Sequence, residues 1–358
     1  MTQLVIPPWL FEIAGRVEDR LRRFLDDERR TWTTMDPALV GPFDALETAV
    51  LGGGKRLRPV FCYWGWVCAG GAPDAPGPAD DLGAAFELLH AFALVHDDVM
   101  DDAALRRGHP TTHVAFAEIH REQGLRGDDR LFGEGVAILV GDLAHVYAGS
   151  IVATMPPATR TRWRTMQLEL MAGQYLDLWC AAHGEVDARR SKLIARLKSG
   201  RYTIEQPLLL GASLLTDGVD EGPSAVDDAL VAYGEPLGMA FQLRDDLLGA
   251  VGDPAVTGKP VGDDLRTGKP TLLLVSALER ADDAQRATLA RVGDADLGDD
   301  EVAELQAVLA ETGALEAVEE EITTLSAASR AALDVEVIPD SARSALNDLV
   351  GLVSFRSS

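Results

Sequence analysis

Two short aspartate runs carry the chemistry this sequence offers most plainly. In LLHAFALVHDDVMDD (88–102), Asp97, Asp98, Asp101 and Asp102 close an apolar run. On a helix Asp97 and Asp101 project from one face, with His90 and Ala93 on the same stripe. Like charges at that spacing destabilise an exposed helix by about 0.2–0.5 kcal/mol per pair. A cluster of this kind at the end of an apolar run reads as a rim that holds a cation. Oxygen ligands without thiolates suit a hard ion such as Mg²⁺, which shares its shell with phosphates. The second run, FQLRDDLLG (241–249), places Gln242 one turn before Asp245, with Asp246 beside it. A Gly- and Pro-rich stretch follows, holding Lys259, Asp263, Asp264, Arg266 and Lys269. For either run alone, a solvated acidic helix end is the plainer alternative.

The cations sit where phosphate chemistry would need them. GGGKRLRP (52–59) puts Lys55, Arg56 and Arg58 after three glycines, Arg106 and Arg107 follow the first acidic run, and KSGRYT (198–203) opens on Lys198. Glycine lets backbone approach an anion closely, lysine supplies a point charge and arginine a bidentate fork. The background makes these placements stand out: 57 acidic residues against 33 basic ones give a formal charge of -24. That balance argues against nucleic acid and against anionic lipid as partners.

The elements that must carry these groups read as helices. Val17 to Arg30, Leu82 to Val99, Arg162 to Ala181 and Val302 to Leu325 place apolar residues at three- and four-residue spacing. Alternating strand-like runs are scarce. Loops are expected at 70–81, 122–135 and 216–224, where Gly, Pro and Asp cluster. No linker stands out, so the expectation is one all-α domain over 1–358, a single large helical bundle with a central substrate cavity and residues 1–30 as a helical extension. The apolar stretch Val136 to Ile151, interrupted by Asp142 and His145, reads as too short and too polar to span a bilayer. The N-terminus shows no basic region leading into an apolar core. Three cysteines without a CxxC pair fit reduced thiols, so a cytoplasmic protein is expected.

Taken together, GGGKRLRP, HDDVMDD with RRG, KSG, FQLRDD, GKP and GDDLRTGKPT resemble, in their order, the trans-isoprenyl diphosphate synthases, or polyprenyl synthetases. The resemblance runs from about Leu51 to Leu274. It implies an isoprenoid synthase fold, commonly homodimeric, that condenses isopentenyl diphosphate with allylic diphosphates into a linear product. Asp97, Asp98 and Asp101 match the first metal-binding motif, and Asp245 and Asp246 the start of the second. Lys55, Arg58, His90 and Arg107 match the isopentenyl diphosphate site. Arg106, Lys198, Gln242 and Lys259 match contacts to the allylic diphosphate, and Lys269 lies in the same basic loop. Three Mg²⁺ would balance one diphosphate together with Asp97, Asp101 and Asp245. No protein base is implied, since the released diphosphate takes the proton in this family. Phe92 and Ala93, five and four positions before Asp97, match a pattern that favours geranylgeranyl diphosphate. One departure stands out: Gly249 occupies the third acidic position of the second motif, and Asp253 is four residues further on. Two alternatives follow from the same motifs. A class I terpene cyclase would leave GGGKRLRP and His90 without a task, and a non-catalytic partner subunit would draw its support from Gly249.

Overall fold

The computed structural model describes residues 6–184, 187–216, 224–252, 262–294 and 297–355. The described residues are overwhelmingly helical, as the periodicity predicts. They divide into two compact units. One comprises Pro7–Arg160 with Leu210–Val219, the other Met1–Ile6 with Thr161–Leu209 and Asp220–Ser358.

In the first unit, α1 (Pro8–Thr33) starts on a proline and buries Leu10, Ile13, Val17, Leu21 and Leu25 along one stripe. A short turn and α2 (Val40–Leu51) lead through Gly52–Gly54 into α3 (Leu57–Cys68), which is buried along almost its whole length. Helix α4 (Gly77–Met100) is apolar on nearly all sides from Leu82 to Leu89. That pattern makes it a central helix rather than a surface one. Gly83 lets it approach Pro59 and Val17, where an added Cβ would stand 3.1 Å from each. Asp80 of α4 takes a forked ion pair from Arg16 of α1. After a two-residue hairpin, β1 (Leu105–Arg106) with β2 (His109–Pro110), the chain continues as α5 (Thr112–Glu122) and α6 (Asp129–Val152). The expected loop at 122–135 is therefore shorter, because Asp128 caps Leu131 N at 2.8 Å and starts the helix early. Helix α6 is also longer than the sequence suggested. By length and composition alone its 24 residues could cross a membrane. The His145 ring packs 4.9 Å from that of Phe92, while Asp142 stays exposed, with its Oδ1 3.9 Å from His96 Nε2.

The second unit takes up α7 (Pro157–His183), whose first residues belong to the first unit, and α8 (Ala188–Ile194). From Ala195 to Glu205 the chain widens into a π-helix and then returns to α-helix in α9 (Gln206–Ser213). Ser224 and Asp227 form a capping box for α10 (Ala225–Val251), which carries Pro236 within it. Then come α11 (Asp263–Arg266), α12 (Leu272–Arg280), α13 (Asp283–Leu289), α14 (Asp299–Glu311), α15 (Ala314–Ala332) and α16 (Asp340–Ser354). The single run expected over Val302 to Leu325 is thus two helices, broken where Gly313 takes a positive φ of 70°. Arg244 ties three elements together: it donates to Glu319 of α15 at 2.6 and 2.7 Å and to Ser354 O of α16 at 2.8 Å.

Candidate active site

The first acidic motif ends α4. Asp101 N still donates to Asp97 O at 2.8 Å, so the helix holds through the motif and keeps Asp97 and Asp101 on one face. Asp98 points the other way and is buried. It accepts from Arg106 Nε and Nη2, both at 2.7 Å, while Arg106 Nη2 stands 3.7 Å from Asp97 Oδ2. Burial raises the Asp98 pKa, and Arg106 opposes the rise. Arg106 can reach back because the hairpin reverses over Arg107 and Gly108, with φ of 53° and 78°. Two consecutive positive values are what a type I′ turn requires.

That turn also aims Arg107 at the glycine loop, where its guanidinium donates to Gly52 O at 3.2 Å and to Gly53 O. Gly54 has a φ of 133°, where any side chain would be strained, and a Cβ there would stand 3.3 Å from Arg107 Nη2. Arg56, in the left-handed region at φ 49°, turns inward to a buried ion pair with Glu87. Its other terminal nitrogen, Nη2, is buried with no partner among the described residues. Arg58 is half-buried on the first turn of α3, and Lys55 is exposed on the loop. His90 feels all of this. Its Nδ1 is shut off from solvent, and burial, then Arg58, Arg107, Arg106 and Arg56, hold its pKa well below the ordinary value. Desolvation and the neighbouring arginines likewise lower the Arg107 pKa. Arg56, Arg58, Arg106 and Arg107 all act on His90, a concentration of positive charge that suits an anion.

The second unit places its own set. Gln242 Nε2 donates to Asp246 Oδ1 at 2.7 Å, and Asp246 Oδ2 accepts from Leu272 N at 2.9 Å. Asp246 therefore fastens α10 to the start of α12, and burial pushes its pKa up to about 8. Asp245, its neighbour, is half-buried. Lys198 comes from the π-helix, with Nζ 2.7 Å from Asp177 Oδ2. Lys269 Nζ stands 3.9 Å from Asp264 Oδ1. Lys259 and Asp253 lie outside the described residues.

The family profile of the polyprenyl synthetases matches residues 43–311. The chain belongs to the polyprenyl synthetase family. It is similar to a geranylfarnesyl diphosphate synthase of Aeropyrum pernix, 34% identical over 75% of this chain and 79% of that one. A farnesyl diphosphate synthase of Haemophilus influenzae is 32% identical over 78% of this chain and 91% of that one. Among solved structures, geranylgeranyl pyrophosphate synthase of Corynebacterium glutamicum, complexed with isoprenyl diphosphate and magnesium, superposes with a TM-score of 0.89 at 37% identity, covering 96% of this chain and 98% of that one.

Within this polyprenyl synthetase, the acidic groups suit a shared ion better than a closed cage. Among the described residues no three Asp, Glu, His or Cys side chains form a ready-made ligand group. Mg²⁺ accepts this, because it binds through one or two carboxylates plus substrate oxygens and water. The donor set fits: oxygens only, with Asp97 and Asp101 on one helix face. Asp98 and Asp246 are instead engaged by Arg106 and by Gln242 with Leu272. The structure also draws in residues that the motifs did not single out. Glu87 balances Arg56, and Asp264 fills the space beside Gly249 so closely that a Cβ there would collide with its Oδ2. The signal for Asp264 was its place in GDDLRTGKP, one acid among two, with nothing in the spacing to say which turns inward.

Proposed function

We propose that this polyprenyl synthetase is a Mg²⁺-dependent trans-prenyltransferase that joins isopentenyl diphosphate to allylic diphosphates and releases geranylgeranyl diphosphate. The single observation that carries the reading is the group of arginines around His90, with Asp97 and Asp101 on one face at the end of the same helix. The 358 residues work as one cytoplasmic catalytic domain in this reading.

Lys55, Arg58 and Arg107 hold the diphosphate of isopentenyl diphosphate. His90, kept neutral, adds a hydrogen bond to it without adding charge. Arg106, Lys198, Gln242, Lys259 and Lys269 hold the allylic diphosphate. Asp97, Asp101 and Asp245 would hold the metal; Asp98 and Asp246 position Arg106 and Gln242; Asp264, whose carboxylate lies beside Gly249, would stand in for the third acid. A bare carboxylate about 4 Å from a diphosphate charge would be repelled by about 4 kcal/mol at an effective dielectric of about 20. Asp97, Asp101 and Asp245 would hold Mg²⁺, three ions per site in this reading, and the metal would supply positive charge against that repulsion and on the departing diphosphate. The allylic carbon–oxygen bond breaks, the double bond of isopentenyl diphosphate attacks, and the proton goes to the released diphosphate. Water must be kept out, since it would trap the cation.

Support for the product comes from α4. Ala93 lies one turn below Asp97, and Phe92 is wedged against His96 and His145, with ring centroids 4.7 and 4.9 Å away. The relatives differ in product at similar identity, so resemblance alone does not choose the length. Purified protein incubated with labelled isopentenyl diphosphate, Mg²⁺ and each allylic starter should release a C20 diphosphate. Asp97→Ala should lower turnover at least about a hundredfold, in line with the loss of a main electrostatic group. Phe92→Ala should lengthen the product. An unchanged length would remove Phe92 from the wall, and no product from any starter would point to the partner-subunit alternative.

A further inference from the structure

The second unit contains a cavity of about 610 Å³ that the reaction does not use. Its size is that of small-molecule sites. The π-helix forms one wall with Arg196, Gly200, Arg201 and Glu205, and α10 forms another with Glu235, Pro236, Met239 and Leu243. Helices α8, α12 and α15 complete it, with Leu272, Val275 and Val318 among the apolar surfaces. Acidic and basic residues balance along the lining, unlike the arginine cluster around His90. This cavity has no excess positive charge to draw a diphosphate.

What it does have is an unanswered acceptor. Glu205 is 2% exposed. Its Oε1 accepts from Arg201 Nε at 2.9 Å, and its Oε2 has no partner among the described residues. Arg201 cannot turn to satisfy it, because its Nη1 is held 2.6 Å from Glu169 Oε1. Glu169 and Glu205 share Arg201, and Arg196 also acts on Glu205, yet no donor among the described residues reaches Glu205 Oε2, and burial raises the Glu205 pKa. Nearby glycines leave no slack to hide the acid: a Cβ at Gly234 would stand 3.0 Å from Glu205 Cα, so that backbone is pinned against α10. A buried acceptor with no donor is a cost that a ligand can relieve.

We infer that this cavity is a second ligand site, which takes a small amphipathic amine with its ammonium group on Glu205 and its apolar body against Met239, Leu243 and Val275. The same walls carry groups of the proposed active site. Lys198 rides on the π-helix, and Leu272, whose N–H is bonded to Asp246, lines the cavity. An occupant would thus bear on both elements, which is the arrangement of a regulatory site.

Binding can be measured without turnover. Calorimetry on the purified full chain would compare 2-phenylethylamine, 2-phenylethanol and phenylacetate. The amine should bind at one site per chain, at least about tenfold more tightly than the alcohol or the acid. Glu205→Gln keeps the shape and the Arg201 contact but removes the charge, and should cost the amine at least about tenfold. Met239→Trp fills the cavity with a residue outside the proposed reaction machinery and should abolish binding. Should Glu205→Gln fail to fold, Met239→Trp decides alone. Equal affinity for the three probes, no binding of the amine, or undiminished binding in either folded variant would overturn the inference.

Discussion

Gly249 shows how much a single side chain's absence can hide. Judged from the motif alone, restoring aspartate there looks like a repair. The space is already taken, because a Cβ at 249 would collide with Asp264 Oδ2, and Asp264 is also near Lys269. Gly249→Asp should therefore displace Asp264 and crowd two like charges together. We expect kcat to fall at least about tenfold, with partial recovery in Gly249→Asp/Asp264→Gly, where the carboxylate returns from the other strand of sequence. Steady-state kinetics on both variants would check this, and an unchanged kcat in Gly249→Asp would remove Asp264 from the reaction. The missing third acid was legible in the sequence, but the carboxylate that occupies the space beside Gly249 was not. Asp263 and Asp264 are adjacent and chemically identical, and only the positive-φ turn at Gly262 decides which one faces α10. The doubled aspartates posed the same difficulty: Asp98 and Asp246 look like metal ligands in a string of letters. In the folded chain they are buried and hydrogen-bonded to Arg106, Gln242 and Leu272, which the string of letters does not show.

Among the elements, helices with a strong apolar stripe were readable because burial imposes the period that the sequence displays. What escaped were features that leave the period intact or are too short to have one. The two-residue strands of the hairpin cannot alternate, and Gly313 interrupts an apolar pattern that continues in phase on both sides. The π-helix is the most consequential of these, since KSG marked Lys198 without revealing the wider turn that carries it. That turn depends on contact between glycines. A Cβ at Gly238 of α10 would stand 2.8 Å from Gly200 C, and one at Gly173 of α7 would stand 2.8 Å from Lys198 N. Backbone cannot yield as a flexible side chain does. Gly238→Ala should cost about 1–3 kcal/mol, the usual range for overpacking a close contact, read from the midpoint of urea unfolding. Because the π-helix also presents Lys198, KM for the allylic diphosphate should rise while KM for isopentenyl diphosphate stays the same. An unshifted midpoint would mean that the two helices part at little expense and that the glycine contact is incidental.

For the molecule as a whole, the open question is what covers the apolar residues that folding leaves outside. On α6, Leu131, Ile138, Leu139 and Val146 are 69%, 46%, 62% and 60% exposed, at a spacing that aligns them along one side of the helix. In the other unit, Leu168, Met171, Tyr175 and Leu178 of α7 are exposed at a similar rhythm. Stripes of this kind mark association surfaces, and the homodimer that the family resemblance implies would cover them. Charge sets the expected salt response. Each protomer carries a formal -24, so two copies repel at long range. Screening shortens that repulsion to a Debye length of about 8 Å at physiological ionic strength. Association through apolar stripes should therefore tighten as salt rises, whereas association through ion pairs would loosen. Sedimentation of the wild type across a salt series would separate the two. Leu139→Lys/Val146→Lys gives the complementary test, because each lysine reduces the net negative charge. A monomer from that variant would come from loss of the apolar face rather than from added repulsion, while an intact dimer would place the interface elsewhere.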